Sequence, residues 1–148
     1  MSNSTLEKRL VGAWELVSYE AVPVGGGDTR YPMGPDPTGL IVYSDSGHMS
    51  VNFQTADRMP YVVEDPQGGT DAERAAAAKG FVGYSGTYNV TDEGIVEHHV
   101  NVSLMPNFIG SVLARRINLH NDLLALSLVE PLKTAEGDLD AVLTWRRA

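Results

Sequence analysis

Two short stretches at opposite ends of the chain constrain its fold more than anything between them: Gly12-Ala13-Trp14 and Leu143-Thr144-Trp145-Arg146-Arg147. A glycine lets the backbone turn tightly into a first strand, and the indole two residues on is large enough to plug the floor of a small closed β-barrel. An arginine on the last strand can then lay its guanidinium across that ring as a cation–π lid. Gly12, Trp14 and Arg147 are therefore read as the residues that close the barrel. Everything between them is wall, loops and a lid.

The periodicity of the intervening chain agrees. Ser4-Thr5-Leu6-Glu7 has the spacing of a capping box with Ser4 as the cap, which predicts a short N-terminal helix to Leu10 over one barrel end. From Trp14 to Ala21, alternation puts Trp14, Leu16 and Ser18 on one face and Glu15, Val17 and Tyr19 on the other. Residues 23–37 hold Gly25-Gly26-Gly27 and then Tyr31-Pro32-Met33-Gly34-Pro35-Asp36-Pro37, too many breakers for regular structure. A connection of that length predicts a loop folded over the barrel mouth. Strands at 39–43 and 48–54 flank the turn Ser44-Asp45-Ser46-Gly47, with Met49, Val51 and Phe53 facing inward. A second capping box, Thr70 to Glu73, starts an alanine-rich helix near 71–79 that Gly80 ends, and its weak apolar face places it across a barrel end. Val82, Tyr84, Gly86, Tyr88 and Val90 share a face of the next strand. Further strands are expected at 95–103, 111–119, 123–128 and around 141–147, with a loop through Glu136-Gly137 before the last. The fold class is all-β: about eight antiparallel strands in an up-and-down barrel whose lumen holds side chains or one small ligand.

At 148 residues the chain is read as one domain, 1–148. Its net charge of −8, from 11 basic and 19 acidic residues, argues against nucleic acid or an anionic membrane surface as partner. No apolar run approaches the roughly 20 residues of a bilayer span, and Met1-Ser2-Asn3-Ser4 does not open a signal peptide. With no cysteine there is no disulfide framework and no thiolate chemistry, and a cytoplasmic location is expected. A Gly-x-Ser-x-Gly elbow, a His-Glu-x-x-His pair, a phosphate loop and a dinucleotide fingerprint are all missing, so hydrolysis and phosphoryl transfer have no support.

Several runs are specific enough to carry a resemblance. They are Leu10-Val11-Gly12-Ala13-Trp14, Leu16-Val17-Ser18-Tyr19-Glu20, Tyr31-Pro32-Met33-Gly34-Pro35-Asp36-Pro37-Thr38-Gly39, Gly47-His48-Met49-Ser50, Gly83-Tyr84-Ser85-Gly86-Thr87-Tyr88, His98-His99-Val100, Pro106-Asn107, Arg115-Arg116 and Trp145-Arg146-Arg147. Together they make the chain similar to the bacterial and fungal lipocalin-like domain family, a branch of the calycin barrels. The resemblance implies an eight-stranded barrel with an apolar or mixed cavity. Relatives of that architecture include carriers of small hydrophobic molecules and, in natural-product pathways, isomerases or cyclases. Unlike secreted lipocalins, this chain has no disulfides.

Adjacent strand residues point to opposite faces, so only one member of His98-His99 can line the lumen. Val96, Val100 and Val102 share a face with His98, which puts His98 inside and His99 outside, and a pair so disposed cannot chelate one metal. His98 is then either a general base or ligand contact, or a core histidine satisfied by tyrosine or backbone partners. The same alternation aims Arg115 inward with Ile117 and Leu119, and Arg116 outward. An inward guanidinium needs a carboxylate, carbonyls or a ligand anion. His48 and His120 are expected at the surface.

Three functions fit these residues. The first is binding of a small hydrophobic or aromatic molecule by Met49, Phe53, Tyr84, Tyr88, His98, Arg115 and Trp145. The alternative is a cofactor-independent isomerase or cyclase, with His98 as acid/base, Tyr88 as proton donor and Arg115 stabilising negative charge. The weakest, by analogy with some related barrels, is haem held by one histidine. No metal and no cofactor are expected, and pairing of two protomers through an exposed face stays open.

Overall fold

A computed structural model describes residues 3–148. Met1 and Ser2, read above as part of an N-terminus without a signal sequence, lie outside the described residues. The strands are β1 (Gly12–Pro23), β2 (Thr38–Tyr43), β3 (His48–Gln54), β4 (Phe81–Val90), β5 (Ile95–Ser103), β6 (Val112–His120), β7 (Leu123–Leu128), β8 (Leu132–Thr134) and β9 (Gly137–Arg147). Each pairs antiparallel with the next as far as β7, β7 pairs with β9, and β9 returns to β1 from Trp14↔Arg147 to Pro23↔Leu139. Eight strands thus close a barrel. The ninth, β8, forms a hairpin with the start of β9 where the sequence suggests only a loop.

Closure is built as the terminal motifs predict. Gly12 has φ +130, and the Arg147 guanidinium carbon sits 4.0 Å from the centre of the Trp14 ring. Arg147 also donates to the carbonyls of Arg9 at 2.7 Å and Val11 at 3.1 Å, while the Trp14 indole donates to Leu10 at 2.8 Å. Helix α1 (Ser4–Leu10) covers this floor and buries Leu10 completely. Its cap is Asn3 rather than Ser4: the Asn3 N–H is tied to the Val90 carbonyl, so its side chain is the one positioned to accept from Leu6, at 3.1 Å. Helix α2 (Asp71–Lys79) has the Thr70–Glu73 box as predicted, and none of its residues is buried.

Two β-bulges break the simple alternation. Between Leu16 and Ser18 the register on β9 advances by one while β1 advances by two, which leaves Val17 as an extra residue. Trp14 and Leu16 therefore face inward before the bulge, and Tyr19 and Ala21 face inward after it; Tyr19 does not point away as expected. On β5, Ser85↔Val102 is followed by Gly86↔Val100, so Asn101 is the extra residue. Val102 consequently turns out to solvent and leaves the His98 face. A Cβ on Gly86 would overlap the His99 carbonyl oxygen, so this close approach of β4 and β5 requires glycine there.

Candidate ligand cavity

Leu10, Trp14, Val90, Val96 and Leu124 fill the floor, but the opposite half of the lumen is open. A cavity of about 320 Å³ lies there, within the roughly 300–1,000 Å³ range of small-molecule sites. Its walls are apolar: Ile41, Val51, Phe53, Leu126 and Leu143 come from strand faces whose alternation aims them inward. The 23–37 loop adds Met33, which is buried, and the Pro106–Phe108 3₁₀ turn adds Phe108. Ala78 and Lys79 at the end of α2 border the same space, so that helix lies at the mouth.

Six residues carrying polar groups border the cavity: Tyr19, Lys79, Tyr84, His98, Arg115 and Trp145. His98 is fully buried in the core, and both ring nitrogens are engaged: Nε2 stands 2.7 Å from the Tyr43 hydroxyl and Nδ1 2.8 Å from that of Tyr84. Burial, with further contributions from the Arg115 and His99 charges, lowers the His98 pKa to about 3, so the ring is neutral. A neutral imidazole has one N–H and one lone pair, and Tyr43 decides which nitrogen has which. Tyr43 is buried and does not border the cavity, and among the described residues its hydroxyl proton has only His98 to receive it. Tyr43 donates to Nε2, Nδ1–H donates to the Tyr84 oxygen, and the Tyr84 proton is left over on the cavity side. Burial raises the pKa of Tyr43 and pushes that of Tyr84 up to about 12, so both phenols stay protonated.

Arg115 is half-buried on the inner face of β6, and Arg116 is exposed. Among the described residues no carboxylate pairs with Arg115; it donates to the adjacent Ala114 carbonyl at 2.9 Å. Its positive charge acts at Tyr19, Tyr43 and Tyr84 against the upward push of burial. The Trp145 indole nitrogen is the buried side-chain polar atom among the described residues that has no hydrogen-bond partner.

Of the residues selected from sequence, Phe53, Tyr84, His98, Arg115 and Trp145 are brought to this cavity, and Met49 and Tyr88 are not. Both are buried toward the floor. Tyr88 packs edge-on against Tyr43 at 4.8 Å and donates to the Ser44 carbonyl at 2.8 Å, which ties the β2–β3 turn to β4. Tyr88 stands opposite His98 in the β4–β5 register, but its hydroxyl is given to Ser44 and it does not border the cavity that His98 and Arg115 share. Tyr19, Met33 and Phe108 went unrecognised. The bulge that turns Tyr19 inward left no local signal, whereas Met33 and Phe108, apolar residues in proline-rich connections, did. His99 faces away from His98 and meets the Asn89 side-chain oxygen at 2.6 Å. No cluster of three or more His, Asp or Glu among the described residues could hold a metal ion.

An antiparallel barrel closed at one end, with an apolar cavity and a few internal polar groups, defines a calycin-type architecture. The chain belongs to the lipocalin-like domain family, whose model matches residues 11–148. It is 36% identical over 86 residues to the 4'-hydroxy-3'-methoxypropiophenone carrier protein of Aspergillus oryzae, a match spanning 53% of this chain and 78% of that protein. A crystal structure of the wild-type fluorescent protein UnaG aligns over 95% of this chain and 98% of its own, at 16% identity and a TM-score of 0.38.

Proposed function

We propose that the chain binds one small aromatic or hydrophobic molecule inside the barrel. The observation that carries this reading is the cavity of about 320 Å³, walled by aliphatic and aromatic side chains with polar groups at a few points. Membership of the lipocalin-like family and a relative named as a carrier of an aryl ketone support the same reading. Acid–base catalysis by His98 is not favoured, because both ring nitrogens are occupied and Tyr88 lies outside the cavity.

Titration with 4'-hydroxy-3'-methoxypropiophenone and a panel of aromatic acids, phenols and ketones tests the proposal through tryptophan fluorescence and the thermal transition. A ligand at a hundred times its Kd should stabilise the fold by about 2.7 kcal/mol, a rise of several degrees in Tm. If no member of the panel changes either signal, the proposal is wrong.

A further inference from the structure

We propose that the ligand of this cavity presents an oxyanion, a carboxylate or a phenolate-type oxygen on an aromatic body, which Arg115 receives together with the Tyr84 hydroxyl. This rests on the binding reading above and names the chemistry of what is bound.

The inference comes from the polarity of the cavity, not its size. The direction assigned to the Tyr43–His98–Tyr84 chain leaves Tyr84, which borders the cavity, with a proton rather than a lone pair to offer. Arg115 borders it with a guanidinium that has spent one N–H on its neighbour's carbonyl and meets no carboxylate among the described residues. A guanidinium can only donate, and the Tyr84 hydroxyl, which accepts from His98, has its own proton left to give. Among the described residues Lys79 also borders the space, and no Asp or Glu does. A neutral apolar guest would leave these donors unmatched in an apolar enclosure, whereas an oxyanion supplies the acceptors and the opposite charge. With a chain charge of −8, the long-range field offers no attraction to an anion, so discrimination must come from these local groups.

Calorimetry at pH 8.5 with two matched pairs tests this: 2-naphthoate against 2-naphthamide, and 4-nitrophenolate against 4-nitroanisole. At that pH Tyr84 is still a protonated donor, its pKa being about 12. At least one anion should bind tenfold or more tighter than its neutral partner, and the pair that discriminates identifies carboxylate or phenolate as the source. In Arg115→Gln the ratio should fall to twofold or less, and Arg115→Lys should keep part of it. Equal binding within both pairs, or a ratio that survives Arg115→Gln, would overturn the assignment. Binding of the neutral compounds alone overturns the oxyanion and leaves the binding reading standing. Failure of all four to bind a protein with a normal melting transition counts against both.

Discussion

The Tyr43 hydroxyl and the His98 Nε2 stand 2.7 Å apart beneath the cavity, and this contact fixes the direction of the hydrogen bonds that lead up to it. Nitrogen NMR of the histidine ring checks that direction. Nε2 should show the shift of a bare, accepting nitrogen and Nδ1 that of a protonated one. The reverse pattern would mean that Tyr84 presents a lone pair to the ligand.

The neutrality of His98 predicts a specific acid sensitivity. Its folded pKa, about 3, lies below the ordinary 6.5, so between those values the unfolded chain binds a proton that the folded chain does not. Stability therefore rises with pH through this window and falls on acidification below about 6.5. From pH 7.5 to pH 5 the histidine alone should remove about 2 kcal/mol. Denaturant melts of wild type and His98→Gln measure it: the variant should lose correspondingly less over that interval, and parallel losses would contradict the assigned shift.

Arg147 predicts a different kind of loss. It stacks on Trp14 at 4.0 Å and donates to two carbonyls at the end of α1, so one side chain holds the last strand, the first strand and the helix. Arg147→Ala should cost about 2 kcal/mol, the sum of a cation–π contact and charged hydrogen bonds. For a chain of this size Tm should drop by about 4–8 °C. Arg147→Lys should recover less than half, because an ammonium cannot stack flat and reach both carbonyls.

At Gly86 the predicted effect is steric. Gly86→Ala drives a methyl into the His99 carbonyl across the β4–β5 bulge, where the obstacle is backbone and cannot swing aside. A loss of about 3 kcal/mol or more is expected in a thermal or urea melt. Gly25→Ala, which meets nothing within 4 Å, serves as the control and should be neutral.

The features legible in the sequence are those written in local chemistry. Trp14 and Arg147 announce closure, the alternation of Met49, Val51 and Phe53 announces an inner face, and Thr70 with Glu73 announces a helix start. The Lipocalin-like motifs pointed to the same barrel. What stayed hidden depends on how strands align. The extra residues Val17 and Asn101 exist only relative to β9 and β4, yet the first turns Tyr19 inward and the second turns Val102 out. Alternation likewise shows that Met49 and Tyr88 face inward but not at what height, and height separates the packed floor from the open cavity. The partners of His98 follow from the same cause, since Tyr43 and Tyr84 meet it only after the four strands β2 to β5 are placed side by side.

The central claim is that a ligand occupies the barrel itself, and Ala141 offers the most direct test. It is a small buried residue on the cavity wall, so Ala141→Phe should fill the space without removing any wall. Native mass spectrometry of wild type and variant, each incubated with the aromatic acids, phenols and ketones, reads occupancy directly. One small molecule per wild-type chain, released on denaturation and absent from a variant that melts no lower than wild type, is the predicted result. An adduct held equally by Ala141→Phe, or a wild type that holds none, would contradict a ligand in the barrel.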